Sequence, residues 1–158
     1  RAPSPETVSP STVIEPTPGR AAIAHPRIDA SNLPSTSKPL QGESLVFADE
    51  TFDWVVSTWT LCSIANLDQA LQEIRRVLKP GGKFTFIEHG LSDDPRLQPW
   101  QHRLTPLQKR IADGCHLNRA IAPLVETYLP IENLKTYYAK GLPKVGGYFY
   151  QGIAVKPV

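Results

Sequence analysis

The sequence predicts an α/β fold, and three observations predict it. Two short runs rich in β-branched and aromatic residues flank one strongly amphipathic segment, and two further runs of the same kind close the chain. A strand, a helix and a strand in succession form a right-handed unit with parallel strands. The closing runs have the spacing of an antiparallel pair at the edge of the same, mostly parallel sheet.

The elements follow in order. In "STVIEPTPG" (11–19) a short strand is expected over residues 12–15, closed by the turn-forming prolines Pro16 and Pro18. "FDWVVST" (52–58) reads as a buried strand. Asn66 is the candidate N-cap of a helix in which Leu67, Ala70, Leu71, Ile74, Val77 and Leu78 recur at helical spacing, leaving Gln72, Glu73, Arg75 and Arg76 wet. "KPGG" (79–82) stops that helix and turns the chain into a second strand, "KFTFIEHG" (83–90).

Beyond it, Leu97, Trp100, Leu104, Leu107 and Ile111 form one helical stripe, with Trp100 assigned to the core. Thr105, with Pro106 behind it and Gln108 three residues on, is a capping-box pattern, so two short helices with a corner are expected. Asn118 is the expected cap of an imperfect helix through Tyr128 that contains Pro123. "IENLKTYYAK" and "GGYFYQGIAVKP" are the two closing strands, joined by "GLPKVGG".

Composition bounds the function. The 158 residues suffice for one domain with a real core. Residues 1–40 hold eight of the sixteen prolines and ten Ser or Thr, and no aromatic residue precedes Phe47, so 1–40 reads as a largely irregular head and 41–158 as the globular part. Seventeen basic against fifteen acidic side chains, with no long block of either sign, argue against a nucleic-acid partner or a polybasic membrane patch. No apolar run reaches 18 residues, so no membrane span is expected. Cys62 and Cys115 lack metal-ligand spacing, which predicts reduced thiols in a cytoplasmic protein and no metal site. A monomer with a small-molecule partner is expected.

In open parallel sheets ligands bind over the carboxyl ends of the strands. The loops to search are therefore "STWTLCSI" (57–64) and "EHG" (88–90), each of which sets polar or aromatic residues beside a strand end.

"GESLVFADETFDWVVSTWTLCSI" followed by "LDQALQEIRRVLKPGGKFTFIEH" resembles the second half of a class I S-adenosylmethionine-dependent methyltransferase, of the type that includes the ubiquinone and menaquinone methyltransferases. The later "WQHRLTPLQKRIADGCHLNR" resembles the small methyltransferase-like family whose animal members methylate thiols. The resemblance covers roughly residues 40–157. It implies a Rossmann-like, doubly wound sheet and S-adenosylmethionine as cofactor, with a thiol, a hydroxyl or an activated carbon as the methyl acceptor.

The resemblance also implies roles. Glu15, in "VIEPTP", matches the acid that accepts hydrogen bonds from the two ribose hydroxyls, a task suited to a carboxylate. Gln41, Gly42 and Glu43 fall on the adenine loop, and Ser57, Thr58 and Trp59 beside the methionine portion and the transferring methyl. His89 and Asp113 are the candidate catalytic bases for a thiol or hydroxyl acceptor.

One departure stands out. The family's first strand ends in a glycine-rich loop whose bare backbone approaches the cofactor, and "RAPSPETVSPSTVIEP" contains no glycine. The chain thus resembles an amino-truncated methyltransferase with its first strand missing.

Other readings stay open. Glu15 is otherwise a solvated acid, Cys62 a small buried apolar residue, and Glu88 with His89 a capped strand end. Asp113, Cys115 and His116 line a substrate lid or form a structural corner. The whole chain is otherwise a non-catalytic remnant or interaction module; a nicotinamide-dependent oxidoreductase lacks any Gly-x-Gly-x-x-Gly signal.

Overall fold

The structure, a computed structural model, describes residues 11–15, 26, 30, 35–38 and 41–158. The chain separates into two compact units, Arg1–Val46 and Phe47–Val158.

In the first unit, β1 (Ser11–Ile14) pairs in parallel with β2 (Ser35–Lys38), in register from Ser11 opposite Ser35 to Ile14 opposite Lys38. The strand expected over 12–15 is therefore present and shifted one residue earlier, with Glu15 directly after it. Glu15 extends the ladder by donating its backbone N–H to the Lys38 carbonyl at 3.3 Å. Residues 1–10, the part of "RAPSPETVSPSTVIEP" that precedes β1, lie outside the described residues.

The second unit carries a four-stranded sheet in the order β3 (Phe52–Thr58), β4 (Leu78–His89), β6 (Tyr148–Val155), β5 (Ile131–Tyr138). β3 and β4 are parallel, and β6 runs antiparallel to both its neighbours. The predicted α/β class and the antiparallel pair at the carboxyl end are both present, with β5 at the edge.

Helix α1 (Leu67–Val77) forms where the periodicity placed it. The Asn66 side chain accepts from the Gln69 N–H at 3.2 Å, and Leu67, Ala70, Leu71, Ile74 and Val77 make up its buried stripe. Arg76, on the other face, grips Glu73, Asp49 and the Phe47 carbonyl. Beneath the helix, period 2 along β4 sends Phe84, Phe86 and Glu88 to one face of the sheet and Thr85, Ile87 and His89 to the other. Phe84 and Phe86 are fully buried and join Leu71, Leu78, Ile121 and Val125 in one apolar cluster. Each such ring contributes about 1.5–3 kcal/mol by leaving water.

Several local expectations are corrected. "KPGG" does not precede the strand but lies within it: β4 begins at Leu78, opposite Phe52, and the ladder resumes only at Lys83, opposite Trp54. The irregular stretch between is held by Gly81 N–H to the Lys156 carbonyl and Lys156 N–H to the Gly82 carbonyl, with Gly81 at φ 75°.

The two helices with a corner are one helix, α2 (Gln98–Ile111), which runs through Pro106. Pro106 cannot supply the N–H that the His102 carbonyl would otherwise receive, and both residues are exposed. Thr105 does not cap a restart; its hydroxyl donates back to the Gln101 carbonyl at 2.7 Å. Nor does the apolar stripe of α2 face the core. Trp100, Leu107 and Ile111 are 58, 55 and 72% exposed, whereas Gln101 and Thr105 are buried. The Gln101 amide decides this by accepting from Ser92 N–H and donating to the Gly90 and Val145 carbonyls, each at 2.9–3.0 Å.

The last helix, α3 (Ile121–Glu126), is shorter than expected and starts after Ala120, without a side-chain cap. Asn118 instead pairs with His102 Nδ1 at 3.0 Å. Pro123 falls in the first turn, where its missing N–H costs nothing.

Candidate active site at the strand ends

The carboxyl ends of β3 and β4 lie side by side, Ser57 opposite Phe86 and Thr58 opposite Ile87. The chain leaving β3 is held to β4 by Glu88. Its fully buried carboxylate takes the Ser57 hydroxyl and the Thr60 backbone N–H on the same oxygen, Oε1, each at 2.9 Å. Burial raises the Glu88 carboxyl above the usual carboxylate range, and the main-chain N–H of Thr60 and the Ser57 hydroxyl oppose it.

Between Ser57 and Thr60 the chain turns at Trp59, which has φ 56°. That left-handed conformation costs a non-glycine residue about 1–2 kcal/mol. It is held by the Trp59 N–H donating to the Ile87 carbonyl at 3.0 Å and by the Glu88 bonds on either side. The indole is 54% exposed and leans on Phe149, 5.1 Å between centroids, and on His89 at 6.2 Å. Strained, over-determined aromatic residues of this kind cluster at functional sites.

His89 ends β4 and is buried. Its Nε2 lies 2.8 Å from Cys115 Sγ, while Nδ1 is buried with no hydrogen-bond partner. Gly90 follows, and a Cβ there would strike the Arg119 carbonyl; its absence lets Leu91 N–H donate to that carbonyl at 2.7 Å. The corner "DGCHLNR" is thereby drawn against the strand end. His116 completes the attachment, its N–H donating to the Cys62 carbonyl at 2.9 Å. Cys62 lowers the Cys115 thiol, with His89 acting the same way, and the Cys62 thiol is pushed up by Cys115 and by burial.

Of the sequence-predicted residues, Ser57, Thr58, Trp59 and His89 therefore share one strand-end region. The Ser57 side chain is engaged by Glu88, and Thr58 and Trp59 are exposed. Asp113 is exposed at a left-handed turn, φ 49°, two residues before Cys115. It is Cys115 that meets the His89 ring. Glu15, Gln41, Gly42 and Glu43 belong to the first unit, the last three in a turn closed by Ser44 N–H to the Gln41 carbonyl at 3.1 Å. Sequence reasoning missed the thiol pair and the role of Glu88. No spacing signal joins positions 62, 89 and 115, which meet only through tertiary packing.

Comparison with known proteins decides the family. A family model described as a methyltransferase domain matches residues 5–86. The chain belongs to the methyltransferase domain family.

Among relatives of this methyltransferase domain, the thiol S-methyltransferase TMT1B of Rattus norvegicus is 46% identical over 87 residues, 54% of this chain and 33% of that protein. The ubiquinone/menaquinone biosynthesis C-methyltransferase UbiE of Nitrobacter hamburgensis is 35% identical over 89 residues, 55% of this chain and 35% of that one. The chain thus spans about one third of the length of these curated relatives. A SAM-dependent methyltransferase from Methanosarcina mazei superposes with a TM-score of 0.71 at 19% identity, covering 94% of this chain and 82% of the other, which establishes the shared fold. No helix among the described residues is long and apolar enough to cross a membrane.

Proposed function

We propose that this methyltransferase domain serves S-adenosylmethionine-dependent methyl transfer to a small-molecule acceptor, a thiol before a hydroxyl or an activated carbon. The observation that carries the reading is Trp59, strained and exposed at the carboxyl end of β3, the place where parallel sheets of this class receive ligands. The thiol preference rests on the 46% identity to the rat thiol S-methyltransferase.

S-adenosylmethionine supplies the methyl group on a sulfonium, a cation whose contact with an aromatic face is favourable by about 0.5–2 kcal/mol. Trp59 offers such a face, and Thr58 lies exposed beside it. Ser57 acts indirectly, fixing the turn through Glu88. Glu15 as ribose acceptor and Gln41, Gly42 and Glu43 as the adenine loop rest on the motif resemblance.

A thiol acceptor must lose a proton before it attacks. His89 is the proposed base, because its Nε2 already exchanges a hydrogen bond with a sulfur, Cys115 Sγ. Asp113, exposed on the same corner as Cys115, is the second candidate. Holding donor and acceptor aligned supplies the rest of the acceleration. Paired free thiols suit a reducing compartment and hence a cytoplasmic location, and the domain is read as a monomer.

The test is titration of the chain with S-adenosylmethionine, followed by assay with a small thiol. Saturable binding together with thiol methylation that falls at least tenfold in His89→Ala, at unchanged cofactor affinity, is expected. Absence of binding at millimolar ligand would overturn the reading in favour of a non-catalytic module.

A further inference from the structure

Cys62, His89 and Cys115 come from three separate places in the second unit: the loop after β3, the last residue of β4 and the corner after α2. Their donor atoms, two sulfurs and one imidazole nitrogen, all lie within 4.8 Å of one another, and all three residues are buried. We propose that they form a binding site for a thiophilic divalent cation, zinc foremost.

The geometry is close to what the ion needs. Tetrahedral zinc, with sulfur at about 2.3 Å and nitrogen at about 2.0 Å, sets two sulfurs roughly 3.8 Å apart and a sulfur and a nitrogen about 3.6 Å apart. His89 Nε2 and Cys115 Sγ stand at 2.8 Å; admitting the ion between them requires less than about 1 Å of separation.

The cluster is also preformed. His116 N–H to the Cys62 carbonyl, and the Arg119 guanidinium to the Leu61 carbonyl, stitch the two cysteine-bearing segments together without using either thiol. The His89 ring presents Nε2 to the Cys115 sulfur, so the nitrogen that would bind the ion already points at a thiol.

The donor set chooses the ion. Two thiolates and an imidazole suit zinc and exclude the oxygen-seeking magnesium and calcium. Three protein donors leave the fourth tetrahedral position to water or to a small thiol, the pattern of open rather than closed zinc sites. If His89 is the base of the proposed reaction, its nitrogen cannot bind metal and take a proton at once. Zinc would then compete with turnover; that consequence rests on the functional reading, whereas binding itself does not.

The experiment is metal titration of the reduced, chelator-treated chain with Zn(II) and with Co(II) as spectroscopic probe. One ion per chain is expected, with a thiolate-to-cobalt charge-transfer band and tetrahedral d–d bands. Affinity should fall on the order of 100-fold in Cys115→Ser and in His89→Gln. Circular dichroism of each variant establishes that it is folded; should one unfold, the other and the wild-type cobalt spectrum decide. No saturable uptake by the wild-type chain, a cobalt spectrum without thiolate bands, or uptake unchanged in the folded variants would each overturn the site.

Discussion

The Ser57 hydroxyl and the Glu88 carboxylate, 31 residues apart, meet at 2.9 Å across the ends of two parallel strands. Through this bond and its neighbour from Thr60 N–H, one buried acid shapes the turn that presents Trp59. Glu88 is thus a positioning residue, and its chemistry is that of a cap rather than of a base.

Because burial raises the Glu88 carboxyl, its contribution to stability has a definite sign with pH. The native chain keeps this proton after the unfolded chain has lost it. Stability from this group is therefore greatest below about pH 4.3, the unfolded value, and declines as pH rises through the elevated native value. Glu88→Gln keeps an acceptor oxygen for Ser57 and Thr60 while removing the titration. Relative to wild type, the variant should gain stability as pH rises from 5 to 8, read as a widening difference between the two urea midpoints. A difference that stays flat over that range would show that Glu88 titrates normally.

The buried face of α2 gives a prediction opposite to the one its sequence suggests. Gln101→Leu adds apolar volume at a buried position, yet it strands Ser92 N–H and the carbonyls of Gly90 and Val145. Each unsatisfied buried group costs about 1–3 kcal/mol, so a total loss of about 3 kcal/mol is expected. Trp100→Ala, at a 58% exposed position, should change stability by less than about 1 kcal/mol. Chemical denaturation of the two variants side by side checks the ranking, and a larger loss for Trp100 would restore the predicted core role.

These contrasts mark what was legible in the sequence. α1 and the extent of β3 were readable because local signals agree there: Asn66 caps, apolar residues recur at 3.6, and β-branched residues cluster; the buried setting expected of β3 was not, since its Trp54 and Val56 are 52 and 67% exposed. The burial of α2 was not, because a glutamine with three fixed partners outweighs a stripe of leucines, and those partners lie 9, 11 and 44 residues away. The site was half legible. His89 and Trp59 follow from being placed at strand ends, but no rule of spacing brings Cys62 and Cys115 to His89, since loop, strand and corner meet only after Gly90 lets the Arg119 carbonyl come close.

Trp59 separates stability from ligand binding. Replacing it by glycine relieves a left-handed backbone worth about 1–2 kcal/mol, and at the same time removes the ring contact with Phe149, worth about 0.5–1.5 kcal/mol. The buried part of the indole returns to water as well, at about 25 cal/mol per Å², so Trp59→Gly should denature about 1–3 kcal/mol below wild type while staying folded. The exposed indole face is lost outright, and S-adenosylmethionine affinity measured by calorimetry should fall roughly tenfold, the equivalent of a cation–π contact with a sulfonium. Trp59→Phe keeps a face on the same strained backbone and should recover most of that affinity without recovering strain relief. If glycine and phenylalanine variants bind the cofactor as tightly as wild type, Trp59 does not line the methyl-donor site, and its conformation reflects only the turn that Glu88 imposes.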